Sequence, residues 1–192
     1  MVGSGEPVLL ISPVLADGFL PLLSEPVLAD RYQLIRYHKR GWVGSTHTPP
    51  PVTVATHAAD AAALLDRLGV PRAHVAGHSS GAAVAAQLAL DHAETVHTLT
   101  LLELSLLSVP SGEAFFQQVG PAFEAYGSGD HEGALGIFMS VVGGVDWTTC
   151  RAVLDERLPG AVAQAVKDAD TFFGVELADS ASGSMRLDKL GE

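Results

Sequence analysis

Gly77, Ser79 and Gly81 stand in the pattern Gly-x-Ser-x-Gly within VAGHSSGAAVAAQLAL (75–90), and they carry the most specific chemistry in the chain. A serine placed where a strand ends and a helix begins sits in a tight turn, so its hydroxyl projects above the carboxyl edge of the sheet. The neighbouring positions must be small, because the strand and helix backbones pass close together there. The helix N-terminus adds partial positive charge and free N–H groups that favour a developing oxyanion. The N–H of Ser80 is placed to be one such donor. The chemistry served is nucleophilic attack on a carbonyl, with Ser79 as nucleophile and Gly77, His78 and Gly81 as the rest of the turn.

Other chemistries find less support. No His, Cys and carboxylate cluster has ligand spacing for zinc, and there is neither a Gly-rich dinucleotide fingerprint nor a P-loop lysine. The reaction at Ser79 is therefore expected to need no cofactor and no metal. Asp170, Glu176 and Asp179 are loosely spaced and suggest no metal site. The single cysteine, Cys150, excludes an intramolecular disulfide and fits a reducing compartment. A net charge of −11 with only 11 basic residues argues against nucleic acid or an anionic membrane as partner. No basic n-region precedes the first apolar run, and the apolar runs are too short and interrupted to span a bilayer. The expectation is a cytoplasmic protein.

The surrounding pattern supplies the elements that must position the serine. PVLLI (7–11) reads as a strand buried on both faces, and YQLIRY (32–37) as a second. A plausible helix lies in the connection between them. From Thr53 the period becomes helical, with Val54, His57, Ala58, Ala61, Leu64, Leu65 and Leu68 on one stripe and Gly69 at its end. AHVAG (73–77) is a third strand, followed at once by a helix, and VHTLTLLEL (96–104) a fourth. Strand, helix and strand in alternation with short connections imply a parallel sheet with right-handed crossovers. Residues 111–127, 130–142, 147–158 and 160–172 read as helices, with Asp146 as N-cap of the third. The 178–192 tail, rich in Ser and Gly, reads as flexible.

On these residues the chain resembles the alpha/beta-hydrolase superfamily, in its small esterase, lactonase and cofactor-free haloperoxidase-like branch. PVLLISPVLADG is similar to the first strand and oxyanion loop, YQLIRYHKRGWVGS to the next strand and its Gly-rich loop, VAGHSSGAAVAAQLAL to the elbow and VHTLTLLEL to the strand after it. The resemblance runs over about residues 6 to 177 in consistent order. It implies an α/β fold, a mostly parallel sheet with flanking helices, in truncated form with a helical cap. The expected division is a four-stranded core over 1–106, a cap over 107–177 and a tail over 178–192. It also implies Ser79 as nucleophile, with the backbone N–H groups of Ser80 and Val14 as oxyanion donors.

Three departures from the family pattern stand out. Ser12-Pro13 replaces His-Gly, His38 replaces an Asp, and the last two strands, which bear an acid and then a histidine, have no counterpart. Eight histidines are available to replace the missing base. His57 and His92 fall in helices, and His74 and His97 at strand starts far from Ser79; structural or solvated roles are expected for all four. His78 is expected to point away from the nucleophile. His47 and His131 require their segments to fold over. His38 is the tentative base, since parallel strands all end on one edge. Glu103, at the end of the fourth strand, is the tentative acid, or holds the cap by hydrogen bonds.

The resulting expectation is a serine hydrolase of small carboxylic esters or lactones, with a small acyl substrate as its partner. The alternatives are a catalytically weak homologue acting as a binding or assembly domain, and a fragment completed by strands from elsewhere. The resemblance also implies a sheet ordered second, first, third, fourth, in which strand 96–104 would be an open apolar edge. A homo-oligomer covering that edge is expected.

Overall fold

The computed structural model describes residues 1–107 and 109–181. Four parallel strands, β1 (Glu6–Ile11), β2 (Tyr32–Arg36), β3 (Ala73–His78) and β4 (Val96–Leu102), form one sheet in the order β2-β1-β3-β4. That is the order the resemblance implied. Between β1 and β2 lie a 3-10 turn (Leu20–Ser24) and the short helix α1 (Pro26–Ala29). Helix α2 (Val54–Arg67) joins β2 to β3, and α3 (Ser80–Asp91) joins β3 to β4.

The apolar pattern explains this assembly. Leu9 and Ile11 of β1, Ile35 of β2 and Val75 of β3 are buried against Ala58, Ala61 and Leu65 of α2 and Val84 and Leu88 of α3. The opposite face of β1 and β2 is smaller, with Leu10 and Leu34 packed on Phe19. Both faces of the central strand are thus covered, which is why its sequence is a continuous apolar run. Helix α2 starts at a capping box in which the Thr53 hydroxyl accepts the Thr56 N–H at 3.1 Å.

Strand β4 is different. Only Val96 is buried, and Leu99, Leu101 and Leu102 are 39%, 37% and 44% exposed. Its expected span was two residues too long. The strand stops at Leu102, and Glu103 takes a positive φ of 50° that breaks the pleat.

After β4 the chain is helical: α4 (Pro110–Gly127), α5 (His131–Gly143), α6 (Trp147–Arg157) and α7 (Ala161–Lys167). Asp146 caps α6 as expected, accepting the Thr149 N–H at 3.0 Å. The helix expected over 160–172 is interrupted instead. Ala169–Thr171 (α8) leads into a π-helical turn, Phe172–Glu176, and then α9 (Leu177–Ala181). These helices build a second core in which Val119, Leu135, Phe138, Phe172 and Phe173 pack with Val14, Leu15 and Trp42 from the loops of the sheet. The tail expected to be flexible begins in helix, and residues 182–192 lie outside the described residues. No single described helix is long and apolar enough to cross a membrane.

Candidate active site

The serine turn is built by close backbone approach. A Cβ on Gly77 would lie 2.2 Å from the Gly81 carbonyl oxygen, and a Cβ on Gly81 would lie 2.1 Å from that of Ile11. Strand β1, strand β3 and the first turn of α3 therefore meet at a distance only glycine permits. Gly81→Ala is expected to lower the unfolding free energy by about 3 kcal/mol in a urea titration, since the obstructing atoms are backbone. A variant as stable as its parent would mean that strand and helix can separate freely.

Between the two glycines, Ser79 adopts φ 54° and ψ −121°, outside the regions that L-residues favour. The backbone is held there from several sides. Its N–H donates to the Leu102 carbonyl at 2.9 Å, and its own carbonyl accepts from Ala82 at 2.9 Å and Ala83 at 3.2 Å. Ser79 occupies the N-cap position of α3, yet its hydroxyl makes no capping bond. An ordinary N-cap serine turns its oxygen onto the helix; this one does not.

The serine opens on a cavity of about 500 Å³ between the sheet edge and the later helices. Its apolar lining includes Pro13, Val14, Leu15, Leu104, Leu107, Phe115, Phe138, Met139 and Phe172. Polar groups are few: His78, Ser79, Ser80, Glu103, Ser105 and Glu176. An apolar chamber with a small set of convergent polar groups is the usual form of a small-molecule site.

Of the residues singled out in the sequence, the structure brings together Ser79, Ser80, Val14 and Glu103, all on this cavity. His78 also belongs to its lining, and Phe19 meets the His78 ring edge-on at 6.5 Å. Burial lowers the His78 pKa, opposed by the charge of Glu103. The tentative base is not brought in. His38 Nε2 lies 3.0 Å from Asp17 Oδ1 and 2.9 Å from Arg36 Nη1, and the residue is absent from the cavity lining. Burial pulls the Asp17 carboxyl up, but the His38 hydrogen bond and the Arg36 charge outweigh it and hold it below its ordinary value.

The other histidines are engaged elsewhere. His74 sits 2.7 Å from Thr98 and stacks edge-on with His97, and His131 packs on Tyr126. His92 lies 3.9 Å from Glu94, and His47 is exposed in its loop.

Sequence reasoning missed a buried polar cluster beside the elbow. Glu176 Oε2 accepts from Lys39 Nζ at 2.8 Å, and Glu176 Oε1 accepts from the Trp42 indole and lies 3.1 Å from His57 Nε2. Lys39 Nζ is also 3.5 Å from Ser80 Oγ and 4.9 Å from the centre of the Trp42 ring. His57, expected to be structural or solvated, is buried here, and Glu176 was set aside among loosely spaced carboxylates. The legible signal was a glutamate inside the apolar run FFGVEL and a histidine on the apolar stripe of α2.

The family model for the alpha/beta hydrolase fold matches residues 15–164, most of the described chain. The chain belongs to the alpha/beta hydrolase family. It is 33% identical over 102 residues to RutD of Caulobacter vibrioides, provisionally named a carbamate hydrolase, an overlap of 53% of this chain and 38% of that protein. The chain thus spans well under half the length of that curated relative. Among solved structures, Est816, described as an N-acyl homoserine lactone degrading enzyme, aligns with TM-score 0.64 at 25% identity, covering 95% of this chain and 64% of that one. A thermophilic esterase from Thermogutta terrifontis aligns with TM-score 0.71 at 20% identity over 97% of this chain and 67% of its own. This second likeness speaks to the fold alone.

In an alpha/beta hydrolase the strand-to-helix turn after the Gly-x-Ser-x-Gly strand carries the reactive serine. Ser79 lies at the turn between β3 and α3, at the carboxyl edge of the parallel sheet.

Proposed function

We propose that the chain is a serine hydrolase of small carboxylic esters or lactones, with Ser79 as nucleophile. One observation carries the reading: Ser79 holds a strained backbone at φ 54°, with its hydroxyl unused for capping, on the wall of the apolar cavity. The Ser79 oxygen attacks the substrate carbonyl, and the oxyanion is received by the N–H groups of Ser80 and Val14. Cleavage of the acyl–oxygen bond, with the serine proton passing to the leaving oxygen, gives an alcohol (tethered for a lactone) and an acyl-serine, which water then hydrolyses to the acid. The hydrocarbon lining suits a short acyl chain, and the likeness to Est816, an N-acyl homoserine lactone degrading enzyme, supports a lactone carbonyl. The test is covalent: a fluorophosphonate is expected to modify the folded chain once, on the peptide bearing Ser79. Intact protein with no adduct at Ser79 overturns the reading.

A second reading, a binding domain of hydrolase descent, is favoured by one feature. Of the eight histidines only His78 lines the cavity among the described residues. That reading expects retention of apolar ligands in the cavity without an adduct.

We also propose self-association through β4. An exposed parallel edge bearing Leu99, Leu101 and Leu102 is a template for another strand. Sedimentation velocity should give a species of two or more chains, returned to one by Leu101→Lys. A monomer at every concentration rules this out.

A further inference from the structure

The Lys39, His57 and Glu176 cluster is placed where three distant parts of the chain meet. Lys39 belongs to the loop after β2, His57 to α2, and Glu176 to the end of the π-helical turn. All three are almost fully buried, and Glu176, the least so, is 8% exposed. A cluster that only had to fill space would be served as well or better by apolar side chains of the same volume. Two features tie this one to the cavity. First, Glu176, with Phe172 and Leu177, lines the chamber that Ser79 opens on. Second, Lys39 Nζ reaches the side-chain oxygen of Ser80, the residue directly after the nucleophile.

The same seam is closed by two further bonds. The Thr171 hydroxyl donates to the Gly41 carbonyl at 2.7 Å, and the Val43 N–H donates to Asp168 Oδ1 at 3.2 Å. With the bonds of Lys39 and Trp42 to Glu176 and of Lys39 to Ser80, the loop 39–43 is held between residues 168–176 on one side and the first turn of α3 on the other. A π turn within a helical stretch commonly marks a functional position, since its wider backbone holds side chains where a regular helix would not. Here it sets Glu176 facing Lys39 while Phe172 faces the cavity. His57 Nδ1 and the Tyr37 hydroxyl are buried with no hydrogen-bond partner among the described residues.

We propose that Lys39, His57 and Glu176 form a positioning unit that couples the π turn of the cavity wall to the first turn of α3, and so sets the Ser80 amide toward the oxyanion. The proposal rests on Ser79 being the nucleophile. In this role the three residues act through Ser80 and need not touch the substrate. The unit makes the wall and the oxyanion arm move as one body: when residues 171–177 open, residues 79–84 open with them. The carboxylate is the hub, since it is the one group that joins the lysine, the indole and the imidazole.

The test is hydrogen–deuterium exchange on the full chain, alongside fluorophosphonate labelling. In the unmutated protein, segments 79–84 and 171–177 are expected to exchange with the same urea dependence, as one cooperative unit. Glu176→Gln, which keeps the shape of the side chain, should speed exchange in both segments about 10-fold and leave β2 unchanged. It should also lower the labelling rate constant kinact about 10-fold with KI altered less than about twofold, while Lys39→Arg stays near the parent. A purely structural cluster would not produce that split. The proposal is overturned if the two segments of the unmutated chain show separate urea dependences, or if Glu176→Gln leaves exchange at 79–84 as it was. The first comparison needs no variant, so a variant that fails to fold does not remove the test. If the unmutated chain takes no adduct at Ser79, the hydrolase reading falls, and the exchange data still decide the coupling.

Discussion

Ser79→Ala is expected to eliminate fluorophosphonate labelling and to lower turnover of p-nitrophenyl acetate by about a thousandfold or more. The substitution removes one oxygen atom and leaves the architecture in place. Alanine tolerates the positive φ no worse than serine does, and the hydrogen bonds to Leu102, Ala82 and Ala83 are all backbone. The Ser79 hydroxyl caps nothing, so α3 loses no partner. Thermal stability should therefore stay within about 0.5 kcal/mol of the parent. The residual rate reports the parts that remain, namely the oxyanion donors and binding in the cavity. Initial rates on parent and variant, with an intact-mass check for the adduct, decide the matter. Equal turnover in the two would remove Ser79 from the chemistry.

Lys39→Met lowers the free energy of unfolding by about 3–5 kcal/mol, read in a urea titration. The loss comes less from the lysine than from what it leaves behind, an almost fully buried Glu176 carboxylate without its compensating charge. Burial alone would raise the pKa of that carboxyl. The Lys39 charge, followed by the contact with His57, overrides burial and brings it down to about 2. Removing both charges together, in Lys39→Met with Glu176→Leu, should restore most of the stability, because no uncompensated charge remains.

The same lowered pKa sets a pH dependence. Glu176 is held below the ordinary 4.5 in the fold, so its contribution is complete above that value and is lost as pH falls toward about 2. The size of that loss is on the order of 3 kcal/mol. Glu176→Gln should flatten this part of the acid-unfolding profile. A parent and a Gln variant with the same profile would contradict the assignment.

Why the elbow was readable and the cluster was not has a physical reason. Gly77, Ser79 and Gly81 are neighbours in the chain, and the strand before them and the helix after them announce themselves by local period. The contact that requires the glycines is also local in topology, since β1 and β3 are adjacent in the sheet. Lys39 and Glu176 stand 137 residues apart, and their pairing depends on how a helix expected as one piece breaks at Lys167 and resumes as a π turn. Local period carries no record of that break. His38 was placed by its strand alone; Asp17, 21 residues upstream in a loop, captured it instead.

By itself the sequence determined the parallel strands, the serine turn and the helical layer after β4. Each is specified by residues a few positions apart, through periodicity, capping and the absence of a Cβ. Only the tertiary structure decided which polar groups share the cavity with Ser79, that His38 pairs with Asp17, and that Lys39, His57 and Glu176 meet beneath the elbow. Those outcomes depend on burial, which makes a lone charge costly and forces distant partners together, and burial belongs to the folded chain and not to any short stretch of it.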